Sequence, residues 1–309
     1  MKNDRIIIIF VPMTRAFKVA GHSFHLEVPG PEFRFGLVGQ YEPFEVPPVD
    51  RPLFTLSLVT TLPERERTLV LDSETDPGET KLRLFRSGDG WIVEMAPDAR
   101  MPVWGTLALS EDFSTGELLL ARDIPGNAAF AVGNSLMLMY AFCTATLGTL
   151  EMHASVIRNA GRAYLFLARS GTGKSTHSQQ WLEAIPGSEL LNDDNPIVRV
   201  FPDGRVRVFG SPWSGKTPCY RAEEAQAGAF VRIRRCPENR ITRLGLVEAY
   251  ASLYSSCSGF RAVKRMADGL HETIGAIVTK VPCFVLDCRP DHDAARVCAA
   301  AVTKEVADA

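Results

Sequence analysis

Two glycine-rich segments of the chain carry a lysine followed by a hydroxyl residue, a combination that suits phosphate binding. Residues 210–217 read GSPWSGKT and match the pattern G-x-x-x-x-G-K-[ST] at every position. Residues 168–175 read ARSGTGKS and depart from it once, because Ala168 replaces the first glycine. In such a loop, backbone N–H groups and a helix N-terminus surround the phosphates, and the lysine reaches the outermost ones.

The segment at 168–175 has the flanking elements that a phosphate loop needs. Residues 162–168 (RAYLFLA) predict a buried strand, and residues 175–185 (STHSQQWLEAI) predict a helix that begins directly after the loop. Two glycines remain to supply bare backbone, and alanine is the smallest replacement for the missing one. We expect a nucleotide, ATP, to bind at Ser170, Gly171, Thr172, Gly173, Lys174, Ser175 and Thr176.

The segment at 210–217 lacks those flanking elements despite its complete match. Pro212 removes one N–H donor from the turn, and Trp213 occupies space that phosphate would need. Pro218 follows at once, and residues 219–230 predict at best a short helix. The sequence therefore predicts that this segment is not the nucleotide loop.

Two aspartates follow the loop at the end of a predicted strand, ELLNDD. Phosphoryl transfer needs a magnesium ligand beyond the loop hydroxyl and a group that orients or deprotonates the acceptor. Neighbouring residues of a strand point to opposite sides, so one of Asp193 and Asp194 can face Mg²⁺ while the other faces the acceptor hydroxyl. The alternative is a turn with solvated carboxylates. His153, by spacing alone, is interpreted as structural.

The elements around these residues change character along the chain. Short runs with partial period-two alternation predict a β-rich N-terminal domain over 1–126, with a hairpin turn at Asp89-Gly90. Residues 127–150 predict a connecting helix. Strands and helices then alternate over 151–309, which predicts an α/β nucleotide-binding domain. His22 and His25 are interpreted as surface histidines of the first domain.

Composition favours a cytoplasmic protein with no membrane or nucleic-acid partner. Hydrophobic residues make up 46 % and charged residues 23 % of the chain, and its apolar runs are too short for a membrane helix or a signal peptide. Seven cysteines without a C-x-x-C pair predict buried, reduced thiols. Residues 1–148 carry 13 basic and 19 acidic side chains and the remainder 21 and 17, a weak bias toward an anionic ligand in the second half.

The order HASVI, LARSGTGKST and LLNDD resembles the kinase domain of the HPr kinase/phosphorylase superfamily, which is similar to the nucleotide domain of phosphoenolpyruvate carboxykinase. The resemblance covers about residues 150–290, and the block GSPWSGKTPCYR looks like an uncharacterised branch labelled as carboxykinase or serine kinase. It implies an α/β P-loop kinase domain with a mixed sheet behind the β-rich N-terminal domain. It also implies assembly into a homo-oligomer.

The resemblance further implies roles for individual residues. Lys174 and Ser175 would bind the phosphates and Mg²⁺, with Asp194 as a second metal ligand. Asp193 would be the general base toward a serine-type hydroxyl of a protein, peptide or small molecule. His153 would lie beside that aspartate and the γ-phosphate, and so becomes a catalytic candidate.

The same comparison gives the second glycine-rich segment a candidate role as a lid or substrate loop. Lys216 and Arg221 would face a phosphate or an anionic acceptor, and Trp213 would stack on a base or exclude water. A buried tryptophan in an ordinary loop is the alternative. The basic stretch 230–243 is either a substrate-facing edge or a solvated strand face.

Two other functions remain open from the sequence. One is a carboxykinase-like enzyme acting on oxaloacetate, for which Mn²⁺ preference and CO₂ release would be diagnostic. The other is a nucleotide-sensing module without catalysis, for which tight ATP binding without any product would be diagnostic.

Overall fold

The computed structural model describes residues 13–30, 35–73, 79–121, 126–215, 217–259 and 261–307. The chain forms two compact units, one of Met1–Lys18 with His22–Met139 and one of Val19–Gly21 with Tyr140–Ala309. Each unit contains one large mixed sheet, so the protein is a mixed α/β fold. No helix in the described ranges has the length and apolar character that crossing a membrane requires.

The first unit is built on a sheet of nine strands within the described residues. Its order is β3-β1-β2-β4-β9-β8-β7-β6-β5, in which β2, β4 and β9 run parallel to one another and β9 is antiparallel to β8. The strands are β1 (Met13–Val19), β2 (His22–Val28), β3 (Glu45–Val46), β4 (Thr55–Val59), β5 (Thr68–Asp72), β6 (Lys81–Ser87), β7 (Gly90–Ala96), β8 (Gly105–Leu109) and β9 (Thr115–Leu120), with a 3₁₀ helix at Phe35–Phe44.

Two details of this unit differ from the sequence predictions. The β6–β7 hairpin forms as predicted, but its turn is Gly88-Asp89, where Gly88 has a φ of 58°, rather than Asp89-Gly90. Gly90 is needed for space instead, because a Cβ there would lie 2.4 Å from the carbonyl oxygen of Leu109. His25 is buried, not on the surface, and its Nε2 accepts a hydrogen bond from the N–H of Val49 at 3.2 Å.

The second unit carries the predicted α/β pattern. Its strands are β10 (Thr149–Glu151), β11 (Ala154–Asn159), β12 (Arg162–Leu167), β13 (Glu189–Asp194), β14 (Ile197–Val200), β15 (Val206–Phe209), β16 (Glu224–Arg235), β17 (Arg240–Arg243) and β18 (Cys283–Cys288). Its helices are the end of α1 (Asn127–Thr144), α2 (Lys174–Ala184), α3 (Leu246–Tyr254), α4 (Lys264–Val278) and α5 (His292–Ala307).

The long strand β16 organises this second sheet. It runs parallel to β12 on one side, and on the other it pairs first with β15 and then, in parallel, with β18. The row continues from β12 through β11 to β13. One face packs against α3 and α4, and the opposite face packs against α2 and α5. The sheet therefore carries a separate apolar core on each side.

Two predicted helices end differently in the structure. The predicted helix 127–150 stops at Thr144, since Gly148 turns the chain with a φ of 63° and residues 149–151 join the sheet as β10. The predicted short helix within 219–230 is instead the start of β16, where Ala225 and Ala227 are buried and Gln226 between them is exposed. Burial on alternate residues is the strand pattern, and helix-forming alanines do not override it.

The prediction of buried, reduced thiols is confirmed. No cysteine takes part in a disulfide, and the buried ones are Cys143, Cys219, Cys257, Cys283, Cys288 and Cys298.

Candidate active site

The segment at 168–175 forms the predicted strand, loop and helix. Strand β12 ends at Leu167, the loop follows, and α2 begins at Lys174. Gly171 and Gly173 have φ angles of 72° and 125°, which favour glycine. Ala168 does not adopt a positive φ, and its side chain is buried in the core beneath α2. Alanine is therefore compatible with the position where the pattern has its first glycine.

The loop turns its N–H groups and its carbonyl groups to different partners. Arg235 donates from Nε to the carbonyl oxygen of Thr172 at 3.0 Å and from Nη2 to that of Gly171 at 2.5 Å. Gly173 is the N-cap residue of helix α2 and provides no side-chain cap, and the first N–H groups of a helix have no acceptor within it. These N–H groups and the helix dipole suit an anion such as phosphate.

His153 lies between the loop and the paired aspartates because of strand register. Ala154, the next residue, pairs with Leu167 on one side and with Asp194 on the other. The Nε2 atom of His153 is 2.7 Å from Nζ of Lys174 and 3.1 Å from Oδ1 of Asp194. A single ring nitrogen either donates or accepts, so His153 can serve one of these two partners at a time.

The charges at this point act on one another. Burial lowers the pKa of Lys174, the two aspartates oppose that effect, and the positive charge of Arg232 adds to it. Burial by itself would raise the pKa of Asp194. The hydrogen bond from His153 and the charges of His153 and Lys174 outweigh burial, so the pKa of Asp194 lies below its usual value. Asp194 is therefore an ionised carboxylate at neutral pH.

The two aspartates point to different partners, as strand alternation predicts, but not to the partners that the family resemblance implied. Asp193 is 3 % exposed, and its Oδ1 accepts a hydrogen bond from Oγ of Ser175 at 3.0 Å. The side chain of Asp194 is 38 % exposed and faces His153. The loop hydroxyl thus belongs with Asp193, and the carboxylate that an acceptor can reach belongs to Asp194. The family resemblance implies the opposite pairing, with Asp194 beside the loop hydroxyl.

Asp194 has a φ of 126°, a backbone conformation in which side chains other than hydrogen are strained. Such strain costs about 1–3 kcal/mol and is common at functional sites. We expect Asp194→Gly to be more stable than Asp194→Ala by about 1 kcal/mol, although glycine is ordinarily the less stable of the two. Urea unfolding of the two variants, both of which lack the carboxylate, measures this difference. The usual order, alanine above glycine, would contradict it.

The complete pattern match at 210–217 is an irregular segment packed against the two aspartates. The N–H of Gly215 donates to the carbonyl oxygen of Asp193 at 2.6 Å, and Oγ of Ser214 donates to the same oxygen at 2.9 Å. Nδ2 of the buried Asn192 donates to Oγ of Ser211 at 3.2 Å. Residues 217–223 contain no helix. Only residues 168–175, of the two segments, have the strand and helix of a phosphate loop.

The structure describes two of the three residues expected to form a lid, and it does not bring them together. Trp213 is 5 % exposed and its ring lies 5.2 Å from that of Tyr140, so it is a buried tryptophan and does not face a base or solvent. Arg221 pairs with Glu189 at 3.1 Å, at the opposite end of β13 from Asp194, and is not brought to the site. Lys216 lies outside the described residues.

A cavity of 520 Å³ opens beside the phosphate loop on the α2–α5 face of the sheet. Its walls come from Thr172, Gly173 and Thr176, from residues 235–237 after β16, and from residues 288–290 after β18. Its volume is within the range of small-molecule sites, which is about 300–1,000 Å³. A nucleoside attached to phosphates in the loop would fit there.

Glu151, on β10 just before His153, is buried at 2 % exposure, and neither carboxyl oxygen has a hydrogen-bond partner among the described residues. Burial raises its pKa to about 8, against a smaller opposing influence of Ser258. The folded state therefore holds a proton that the unfolded state releases above pH 4.5, and the wild type loses stability as pH rises from there to 8.

We expect Glu151→Gln to remove this loss. The variant should match the wild type at pH 4 and exceed it by about 3 kcal/mol at pH 7, since each pKa unit corresponds to about 1.4 kcal/mol. Urea unfolding at pH 4, 7 and 8.5 measures the difference. A constant difference at all three pH values would contradict the assignment of a buried, protonated carboxyl.

No protein-family model matches the chain, and a search of curated proteins finds no sequence match. The chemistry of the site is therefore inferred from its own residues.

Sequence reasoning missed several residues that the fold brings here. The basic stretch 230–243 was treated as one edge, but its arginines separate by strand alternation. Arg235 lies on the α2–α5 face and donates to the loop carbonyl groups, whereas Arg232 and Arg234 lie on the opposite face, where Arg232 bonds Ser256 and Arg234 pairs with Asp287 at 2.7 Å. Asn192, directly before the aspartates, fastens the segment at 210–217. The period-two pattern of β16 separates Arg235 from Arg232 and Arg234, but it gives no signal for the different partners of Arg232 and Arg234.

Proposed function

We propose that this protein is an ATP-dependent phosphotransferase that transfers the γ-phosphoryl group to a hydroxyl of a protein, peptide or small molecule. One observation carries the proposal: Lys174 and Ser175 of the uncapped loop helix lie in direct contact with His153 and Asp193, and His153 contacts Asp194. Phosphate-binding groups, a candidate metal ligand and a candidate proton acceptor thus meet at one edge of the sheet, which is the set of parts that phosphoryl transfer needs.

The oxygen ligands fit Mg²⁺ through Ser175 and Asp193. Their side-chain oxygens are 3.0 Å apart, close to the separation of about 2.9 Å between neighbouring oxygens around Mg²⁺. No group of three or more His, Cys, Asp or Glu side chains in the described ranges could hold a metal by itself. Magnesium would take its remaining ligands from phosphates and water. When bound, the ion neutralises charge on the β- and γ-phosphates.

Asp194 is the proposed proton acceptor. Its carboxylate is ionised and partly exposed, and an acceptor hydroxyl can donate a hydrogen bond to it. As the acceptor oxygen bonds to the γ-phosphorus, the bond from that phosphorus to the β–γ bridging oxygen breaks. The hydroxyl proton passes to Asp194 and ADP leaves. His153 orients this carboxylate and lies beside Lys174, which binds the transferred group.

The segment at 210–217 is proposed to position the aspartates rather than to cover the site. Its contacts to the backbone of Asp193 and to Asn192 hold the end of β13, and Gly215 leaves space for the side chain of Asp194. A Cβ on Gly215 would lie 3.0 Å from that of Asp194. These contacts would fix the position of the carboxylate, and small displacements of a catalytic group lower the reaction rate.

Two measurements on the full chain test the function. Melting with ATP, ADP or AMP and Mg²⁺ should show stabilisation that requires the β-phosphate, since the loop binds phosphates. Incubation with γ-labelled ATP and an extract as acceptor pool should transfer label to a hydroxyl-bearing product. Stabilisation without any transfer would favour a nucleotide sensor, and release of CO₂ from oxaloacetate with Mn²⁺ would favour a carboxykinase.

A further inference from the structure

Arg232 is a half-buried cation without a carboxylate partner among the described residues. It lies on β16 opposite Leu167, directly beside the strand end that delivers the phosphate loop. Its hydrogen bonds go only to neutral groups. Nε donates to Oγ of Ser252 at 3.0 Å, and Nη2 contacts the carbonyl oxygen of Ser252 and the hydroxyls of Ser255 and Ser256, the latter two at 2.9 Å.

This guanidinium is close to the candidate catalytic groups. The backbone N–H of His153 donates a hydrogen bond to the carbonyl oxygen of Ser256 at 2.7 Å, and the hydroxyl of the same serine accepts a hydrogen bond from Arg232. The Nζ atom of Lys174 lies 3.4 Å from the carbonyl oxygen of Ala168, the residue that follows Leu167 opposite Arg232. Burial lowers the pKa of Arg232 itself, yet an arginine stays charged at any physiological pH. Two cations that repel each other inside a site favour the arrival of an anion.

Donor groups remain for such an anion. The described residues provide no acceptor for the two N–H bonds on Nη1 of Arg232. The hydroxyl of Ser256 accepts a hydrogen bond from Arg232 and keeps its own proton to donate. A guanidinium and a hydroxyl together bind a carboxylate or a phosphate through charge-assisted hydrogen bonds.

The position of Arg232 assigns this anion to the acceptor rather than to the nucleotide. The 520 Å³ cavity that suits a nucleoside is on the α2–α5 face of the sheet. Arg232 points to the other face, where α3 supplies Ser252. The phosphate loop, Lys174 and His153 lie at the sheet edge between the two faces. A γ-phosphoryl group held by Lys174 therefore has the nucleoside on one side and Arg232 on the other.

We propose that Arg232 and Ser256 form an acceptor subsite that binds an anionic group, a carboxylate or a phosphate, carried by the hydroxyl compound that receives the phosphoryl group. The subsite rests on the proposed phosphotransferase function. It narrows the acceptors to hydroxyl compounds or side chains with an anionic group near the reacting oxygen.

The test uses the full chain saturated with a non-hydrolysable ATP analogue and Mg²⁺, so that the γ-phosphate position is filled. Glycerate, inorganic phosphate and uncharged glycerol are titrated, and binding is followed by calorimetry. We expect glycerate or phosphate to bind and glycerol not to bind. A preference between the two anions identifies the acceptor group as a carboxylate or a phosphate.

Arg232→Gln should weaken binding of the anion at least about tenfold, the size of one charge-assisted hydrogen bond. Arg234→Gln, on the same strand but paired with Asp287, is the matched control and should change binding less than about twofold. Arg232→Lys, which keeps the charge, should lie between the wild type and Arg232→Gln. A purely structural arginine would lower the urea unfolding midpoint on substitution but leave the anion affinity of the folded protein unchanged.

Other outcomes overturn the proposal. One is equal anion binding by the wild type and Arg232→Gln, and another is no anion binding by the wild type. A third is a loss of affinity for ATP, but not for ADP, in Arg232→Gln, because that loss would mean that Arg232 binds the γ-phosphate. Absence of nucleotide binding by the wild type would instead remove the proposed function. Repeating the titrations without nucleotide then decides whether Arg232 binds anions.

Discussion

Replacement of Lys174 by alanine is expected to abolish the stabilisation of this protein by ATP and Mg²⁺. Lys174 is 8 % exposed, follows directly on the loop glycine Gly173, and is the lysine in contact with His153. Its ammonium group is in place to reach the outer phosphates, where a buried charge-assisted contact is strong. We expect the dissociation constant for ATP to rise by about two orders of magnitude.

The expected loss is large enough to measure by thermal or urea unfolding. ATP at one hundred times its dissociation constant adds about 2.7 kcal/mol to the free energy of unfolding of the wild type. The same concentration adds about 0.4 kcal/mol when the constant is raised about a hundredfold. Lys304→Ala, at an exposed lysine of α5, is the control and should behave as the wild type. Undiminished stabilisation of Lys174→Ala would show that ATP binds elsewhere in the chain.

The second large effect is expected at the paired aspartates, and it separates their roles. Asp194→Asn should retain ATP affinity within a few-fold and reduce phosphoryl transfer by about 10²–10⁴, the usual contribution of a general base. Asp193→Asn should instead weaken the Mg²⁺ dependence of ATP binding, because its carboxylate lies against the loop hydroxyl of Ser175. Transfer of label from γ-labelled ATP and titration of Mg²⁺ at fixed ATP measure the two effects.

The opposite result would exchange the roles proposed for Asp193 and Asp194. If Asp193→Asn keeps the Mg²⁺ dependence but loses transfer, Asp193 is the base and the roles implied by the family resemblance hold. Asn195→Ala is a matched control, since Asn195 donates to Oδ2 of Asp194 at 3.2 Å without taking part in the proposed chemistry. It should alter transfer much less than Asp194→Asn.

The phosphate loop was predictable because its signals are local. A buried strand, glycines at two positions with positive φ and a helix of good propensity are all written in about twenty neighbouring residues. The departure from the pattern at Ala168 also has a local explanation. The backbone there is not left-handed and the side chain is buried, so alanine can replace glycine. The complete match at 210–217 failed for the same kind of reason, because Pro212 and Trp213 do not allow a loop of N–H donors.

The partners of the candidate site residues were not predictable, because strand register sets them. His153 reaches Lys174 and Asp194 only because the next residue, Ala154, pairs with both Leu167 and Asp194, which are far from each other in the sequence. The sequence predicted that Asp193 and Asp194 point to opposite sides of the strand. Which of them faces Ser175 depends on the register between β13 and β11. A shift of one residue would exchange their roles.

The sequence alone determined that a β-rich region precedes an α/β region and that residues 162–184 form a strand, a glycine-containing loop and a helix. These follow from hydrophobic periodicity and from the backbone freedom of glycine, which act over a few residues. The tertiary structure alone decided that Trp213 is buried, that Arg221 is remote, and that Arg232 lies beside the candidate site without a carboxylate partner among the residues that the structure describes. The environment of each of these side chains depends on which strands are neighbours in the sheet. That order is determined by the packing of segments that are far apart in the sequence.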